Sequence, residues 1–196
     1  MVAALASCGP AASPSPVPTP TPTPTPTLAP TPAPSPPASP GGQGSTVPVD
    51  PTLLGVLPAD VDGLPLVENG EAEAVAQADP QLPAIAAAFV AALAVDTKTG
   101  QFVFAVVIRL KPGALDEAGF RDYRDSFDQG ACSQADGVAG NAEAQIGGRT
   151  VYIGTCAGGL HTYHAWLEPQ GLLISASAAG DRRLGEVLME HLTITP

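Results

Sequence analysis

Three histidines are the residues best suited to bind a metal or move a proton, and two of them form a His-x-x-His pair. His161 and His164 lie in a segment predicted to be a strand, where side chains three positions apart point to opposite faces. The two imidazoles should therefore diverge and cannot share a metal ion. His191 falls in the apolar stripe of a predicted helix, where a hydrogen-bonded histidine at the edge of the core is expected. The histidines thus predict neither a metal site nor a cofactor.

The acidic residues and serines form no recognisable catalytic motif. Residues 60–63 look like the start of a calcium loop, but Leu64 and Pro65 stand where an EF-hand needs an oxygen ligand and a glycine. A simple Asp-Gly turn is expected there instead. Gly-x-Ser-x-Gly does not occur in the sequence. Acidic and basic residues alternate along 116–128 at the spacing of ion pairs on the solvent face of a helix. We therefore predict no catalytic residues.

Two tyrosines are candidate binding residues. Tyr152 and Tyr163 lie on neighbouring predicted strands, across which aromatic side chains can pair. If no helix covers their face of the sheet, they would form a small recognition patch, and otherwise they belong to the core. Trp166 has the opposite parity from Tyr163 and cannot join it on one face.

Charge and proline content divide the chain near residue 49. Residues 1–49 contain no Asp, Glu, Lys or Arg and 15 of the 23 prolines, whereas residues 50–196 carry the whole net charge of −11. A segment with few large apolar residues cannot offset the entropy of ordering, so residues 9–49 are predicted to be a disordered stalk. The acidity of residues 50–196, predicted to be one globular domain, argues against binding nucleic acid or lying on an anionic membrane.

The predicted stalk is dominated by Ser-Pro, Thr-Pro and Ala-Pro dipeptides over residues 13–40. Proline fixes the backbone in extended conformations, so this segment should populate polyproline II and could reach roughly 120 Å if fully extended. Glycines in residues 41–45 provide a flexible joint. A spacer is the expected role, and a proline-rich ligand for a partner is the alternative.

Leu5-Ala6-Ser7-Cys8 resembles the bacterial lipobox, in which a cysteine after small residues receives lipid and becomes the mature N-terminus. The resemblance covers four residues and implies a lipid anchor at Cys8 on the outer side of the cell membrane. Residues 1–8 are then the end of a truncated signal peptide, because only seven residues, none of them basic, precede Cys8.

Cys132 and Cys156 remain once Cys8 takes the lipid. In an oxidising compartment the two are expected to form a disulfide bond. Two free buried thiols and a metal pair are the alternatives.

The predicted fold is α+β. Apolar segments joined by Gly-rich or Pro-Gly turns predict a four-stranded antiparallel meander over 142–146, 149–156, 160–167 and 172–177. Residues 102–110 are apolar on both faces and predict a central strand. Helices are expected over 82–95, 116–131 and 181–192, packed on one face of the sheet, with short extended pieces at 53–58 and 64–67.

The pattern from Cys132 through residues 146–152 to residues 161–163, with its closing helix, resembles a domain of uncharacterised secreted lipoproteins of high-GC bacteria. The resemblance covers residues 56–194. It implies an α+β fold and an extracytoplasmic location, and it implies no activity, substrate or site residues.

Together these patterns predict a membrane-tethered extracytoplasmic lipoprotein with a non-catalytic binding domain. Its partners would be the membrane, through Cys8, and an unidentified envelope protein, glycan or small ligand. Two alternatives remain open. A cavity between helices and sheet would favour a carrier of a small hydrophobic ligand. A pocket placing His161 or His164 against a serine and a carboxylate would favour an envelope hydrolase.

Overall fold

The computed structural model describes residues 46–194. The predicted signal peptide and lipobox at 1–8, including Cys8, and residues 9–45 of the predicted stalk lie outside the described residues. Within the described range no helix is both long and apolar enough to cross a membrane.

A large antiparallel sheet forms the centre of the fold, which confirms the predicted α+β class. A short hairpin of β1 and β2 precedes the sheet, whose seven strands run in the order β3-β4-β5-β9-β8-β7-β6. Each neighbouring pair is antiparallel. The strands are β1 Asp60–Val61, β2 Leu64–Pro65, β3 Val67–Glu68, β4 Ala86–Val95, β5 Phe102–Leu110, β6 Val138–Ile146, β7 Arg149–Cys156, β8 Leu160–Leu167 and β9 Leu172–Ala179.

Within residues 46–194, four α-helices and two 3-10 helices accompany the sheet. The α-helices are α1 Gly70–Gln77, α2 Leu82–Ile85, α3 Glu117–Cys132 and α4 Leu184–Glu190, and the 3-10 helices are Pro51–Val56 and Glu168–Gln170. The longest, α3, starts where predicted because the Asp116 side chain accepts a hydrogen bond from the Gly119 amide at 2.7 Å.

Helices cover both faces of the sheet, so the prediction of one covered face is wrong. Residues Pro51–Val56 and α4 pack on one face, over a core that includes Val90, Val107 and Ile174. The α-helices α1, α2 and α3 pack on the opposite face, over Phe89 and Leu173. The middle strands are apolar at odd and even positions alike, and both of their faces must therefore be removed from water.

The predicted helix over 82–95 is wrong: only Leu82–Ile85 is helical, and β4 follows at once. Strand β4 lies between β3 and β5, with Val90 paired to Val107 in the register. Because the strand is buried on both faces, its sequence shows no alternation of apolar and polar residues, and its alanines suggest a helix. Pairing within the sheet overrides that preference.

Two further expectations need correction. Residues 51–56 form a 3-10 helix where an extended piece was expected, because Asp50 caps the Thr52 amide and Pro51 fixes the first backbone angle. The last helix, α4, is shorter than predicted and starts after Arg183, a left-handed residue with φ of 53°. His191 follows its end and is exposed, outside the core edge where it was expected.

Strand β6 is the long edge of the sheet. Among the strands that the structure describes it pairs only with β7, and most of its nine residues are exposed. A register irregularity lies between Val138 and Gly140, and Glu143 places a charge in the strand. Bulges and charges are the features by which edge strands avoid pairing with other chains.

Candidate functional site

A buried hydrogen-bond network joins α3 to the sheet. His164 Nε2 lies 2.8 Å from Asp128 Oδ1, and His164 Nδ1 lies 2.9 Å from Ser175 Oγ. The Thr162 hydroxyl donates to the same Asp128 oxygen at 2.5 Å. The Tyr123 hydroxyl interacts with Ser175 and extends the network along α3. Asp128, Thr162, His164 and Ser175 are each at most 2% exposed, so the network is inside the protein.

Strand register sets the sheet side of this network. His164 on β8 pairs with Ser175 on β9, which places the two side chains on the same face. On the other side of β8, the strand β7 contributes Gly154, opposite Thr162. A Cβ at Gly154 would lie 2.6 Å from Asp128 Oδ2 and closer still to Thr162 Oγ1. The absence of a side chain at Gly154 therefore makes room for the Asp128 carboxylate.

Replacing Gly154 by alanine is expected to destabilise the protein by about 3 kcal/mol, because the new methyl group displaces Asp128 or Thr162 from the network. Gly140→Ala is the matched control, since a Cβ there meets nothing within 4 Å. Urea unfolding of the two variants measures the effect. Equal stability of Gly154→Ala and Gly140→Ala would contradict the close approach at Gly154.

Burial and hydrogen bonding set the protonation states of His164 and Asp128. Burial lowers the pKa of His164 below its ordinary value of 6.5, although the Asp128 carboxylate opposes this. Burial raises the pKa of Asp128, but hydrogen bonds from His164 and Thr162 outweigh burial and the net pKa is lowered. A neutral His164 donates from Nε2 to the Asp128 carboxylate and accepts at Nδ1 from the Ser175 hydroxyl. Every polar group of the pair then has a partner.

We expect the free energy of unfolding to fall as the pH drops below 6.5. An unfolded His164 binds a proton near its ordinary pKa of 6.5, whereas the folded one does not until lower pH, so acid favours the unfolded state. The slope approaches about 1.4 kcal/mol per pH unit and ends at the folded pKa. Asp128 adds a further loss below 3.8, because its folded pKa is also lowered.

Urea unfolding between pH 7.5 and 5.5 tests this prediction. The groups nearest His164 that shift its pKa are Asp128, Arg124 and Asp125, all on α3. The His164→Gln variant should lose the slope between about pH 6.5 and 5.5, and His161→Gln should keep it. A slope that persists in His164→Gln would assign the proton uptake to another group.

The residue types of this network, Asp, His and Ser, are also those of serine hydrolases. Of the two histidines that were considered for a hydrolase, His164 is the one that contacts a serine and a carboxylate, and His161 contacts neither of these two groups. Ser175, however, lies within the sheet with no exposed surface, where a substrate has no access to its oxygen. In this arrangement the network holds α3 against strands β8 and β9.

Next to the network, a largely apolar cleft of about 470 Å³ opens on the same face of the sheet. Helix α1 packs on β4, and α3 packs on β7 and β8, so the cleft lies between the two helices, over β5 and β9. Phe104, Val106 and Ser177 belong to its floor, where Val106 and Ser177 are mostly buried. The walls are residues of α1, α2, α3 and the connecting turn: Val75, Ala76, Ala78, Asp79, Pro80, Leu82, Tyr123, Ser126, Phe127, Gly130 and Ala131.

The cleft carries few polar groups. Asp79 has the only charged side chain among the described residues that line it, and Tyr123, Ser126 and Ser177 supply hydroxyls. Burial, with a smaller contribution from Asp79, raises the pKa of Tyr123 above its ordinary value of 10.0. The phenol therefore stays protonated, and its hydroxyl is already hydrogen-bonded to Ser175. An apolar cleft with a few convergent polar groups is the usual form of a small-molecule site.

A second, more polar cleft of about 710 Å³ lies at the ends of β8 and β9. His161 and Tyr163 line it together with Asp181, Arg183 and Glu186, and Arg183 is already paired with Glu186. His161 thus lies on the α4 side of the sheet and His164 on the α3 side, which confirms that the two imidazoles diverge. Among residues 46–194, His, Cys, Asp and Glu side chains form no group of three able to hold a metal ion.

The structure does not bring the two candidate tyrosines together. Tyr163 pairs with Ile153, and Tyr152 pairs with His164, so the two rings lie on opposite faces. Tyr163 is 2% exposed beneath α4, and Tyr152 packs edge-on against Phe120 with ring centroids 5.2 Å apart. The predicted binding patch is therefore wrong. The two residues are offset by one position in the pairing of β7 with β8. The turn between these strands sets that register, so the sequence already indicated that the two side chains point to opposite faces.

The expected disulfide bond between Cys132 and Cys156 is confirmed. It joins the end of α3 to the end of β7. The third cysteine, Cys8, lies outside the described residues.

Sequence reasoning missed Asp128, which it assigned to a solvated helix face. A signal was available, because Asp128 lies eight residues after the buried Phe120 and four before the buried Cys132, at helical spacing. An acid in a buried stripe indicates a polar partner on the facing sheet. The cleft left no such signal, since its walls come from separate parts of the chain.

A scan against protein-family models found no match, and searches of curated proteins and of solved structures found none either.

Proposed function

We propose that the chain is an extracytoplasmic lipoprotein, anchored to the membrane through Cys8, whose folded domain binds a small apolar or amphipathic molecule. The observation that carries the binding proposal is the cleft between α1 and α3. This is the hydrophobic-ligand version of the binding role expected from the sequence. The lipobox resemblance and the proline-rich segment support the location.

The cleft has the size and composition for such a ligand. Its volume of about 470 Å³ falls within the range of roughly 300–1,000 Å³ typical of small-molecule sites. The floor residue Val106 is 3% exposed, so much of the floor is already shielded from water by the two helices. An alkyl or aromatic group placed there would remove the remaining apolar surface from water.

Binding of a neutral hydrophobic dye, phenylnaphthylamine, tests this proposal. Ser126 is exposed and lines the cleft, whereas Gln129 is exposed on the same helix and does not line it. Ser126→Trp should block the cleft and weaken dye binding about tenfold or more, which corresponds to about 1.4 kcal/mol. Gln129→Trp should bind like the wild type. If both variants bind dye equally well, the cleft is not the binding site.

The anchor is tested separately. Expression from the native locus, followed by membrane fractionation and intact-mass analysis, should give a membrane-bound chain that begins at a lipid-modified Cys8. A chain that stays out of the membrane fraction and carries an unmodified Cys8 would overturn the proposed anchor. Neither result would bear on the cleft.

A hydrolase is the second candidate, because His164 contacts both Ser175 and Asp128. This function requires a conformational change that exposes the Ser175 hydroxyl, which is fully buried in this structure. Short-chain nitrophenyl esters are suitable substrates for a direct assay. Ester hydrolysis that disappears in Ser175→Ala but persists in the neighbouring Ser177→Ala would establish a catalytic serine. Wild-type rates equal to those of Ser175→Ala would reject it and leave the network a structural role.

A further inference from the structure

We propose that the cleft selects an amphiphile with a cationic head group, and that Asp79 is the residue that selects it. This inference rests on the proposed binding function and adds the charge of the ligand.

The described residues that line the cleft give it a negative charge. Neither lysine nor arginine is among the described residues that line the cleft, and Asp79 contributes a carboxylate. A fatty acid or another anionic amphiphile would bring a second negative charge into the same small space, with no cation to compensate it. Two like charges close together in a partly desolvated site repel each other. A positive head group would be attracted instead.

Asp79 forms part of the wall of the cleft. It lies in the turn between α1 and α2, is half-buried, and accepts one hydrogen bond, from the Gln81 amide at 2.8 Å. Among residues 46–194 its carboxylate has no ion-pair partner. A half-buried carboxylate at the wall of an apolar cleft is therefore available to a cationic ligand whose apolar part lies over Phe104 and Val106.

The charge of the whole chain affects how a ligand approaches the cleft. The chain carries a net charge of −11, and such a surface attracts cations and repels anions. At physiological salt, charges more than about 8 Å apart are largely screened. The negative charge of the whole surface therefore raises the rate at which a cationic ligand reaches the protein. The tighter binding of a cation than of an anion comes from the Asp79 carboxylate in the cleft.

Displacement of bound phenylnaphthylamine by three probes with the same alkyl chain tests the inference. The probes are dodecyltrimethylammonium, dodecanol and dodecanoate, each used below its micelle concentration and at physiological salt. For the wild type we expect the cationic probe to displace the dye at a concentration about tenfold lower than dodecanoate does, with dodecanol between them.

Two variants isolate the contribution of Asp79. Asp79→Asn keeps an oxygen that can accept the Gln81 hydrogen bond, and it should remove most of the preference for the cation. Glu71→Gln removes the same charge from an exposed position on α1 that does not line the cleft, and it should keep the preference. If the two variants behave alike, or if dodecanoate binds as well as the cation, the inference fails while the cleft stands. If no probe displaces the dye, the proposed binding function itself fails.

Discussion

Replacing His164 by leucine is expected to destabilise the protein by about 3–5 kcal/mol, at least as much as the Gly154→Ala substitution beside it. Leucine fills a similar volume, so the loss comes from the polar partners left behind and not from a cavity. The Asp128 carboxylate, 2% exposed, would keep Thr162 and lose its imidazole donor. Removing one member of a buried, hydrogen-bonded pair leaves an uncompensated charge in the interior.

A double-mutant cycle tests this account. Asp128→Ala alone should also destabilise the protein, because it leaves His164 Nε2 and the Thr162 hydroxyl without their acceptor. The double variant, Asp128→Ala with His164→Leu, removes the charge together with its donor. Its loss of unfolding free energy should be about 2 kcal/mol smaller than the sum of the losses in the two single variants. Urea unfolding measures all three losses. Strictly additive effects would show that the two side chains are energetically independent.

Removing the disulfide is expected to cost about 3–4 kcal/mol. The bond links Cys132 and Cys156 across a sequence separation of 24, and the chain-entropy model assigns a loop of this length a stabilisation of that size. For a domain of about 150 residues, the Cys132→Ala, Cys156→Ala double variant should melt about 10 °C lower than the oxidised wild type. Thermal unfolding monitored by circular dichroism provides the measurement.

Reductant supplies the control for this prediction. A reducing agent should lower the melting temperature of the wild type towards that of the double variant and leave the double variant unchanged. Gly130 and Ala131, which line the cleft, lie next to Cys132 in α3. Loss of the bond should therefore also weaken binding of the dye. A wild type that melts at the same temperature with and without reductant would contradict the stabilising role of the disulfide.

The parts of the fold that sequence could predict are those with a local signal. Helix α3 has a capping aspartate and an apolar stripe, and β7 and β8 are bounded by glycine turns, so their positions follow from short-range chemistry. Strand β4 has no such signal. Its alanine-rich sequence suits a helix in isolation, and only its position between β3 and β5 makes it a strand.

The candidate site was harder to predict because it depends on long-range geometry. The spacing of Phe120 and Asp128 marks a buried acid, but nothing local identifies His164 and Ser175 as its partners until the strands β8 and β9 are placed in register. The cleft is less predictable still. It exists because α1 and α3 rest on different strands and leave a gap between them, a relation between segments of which α3 begins 40 positions after α1 ends.

The edge strand β6 lies wholly inside the loop that the Cys132–Cys156 bond closes. The bond makes a covalent ring of the β6–β7 hairpin and the turn before it, so the start of β6 is held beside the end of β7. In many proteins a long exposed edge can detach and take the equivalent place in a second molecule. Here strand exchange would require β6 to leave a partner to which it is cross-linked. While the bond is intact, this chain therefore cannot exchange its long exposed edge strand with a neighbouring molecule.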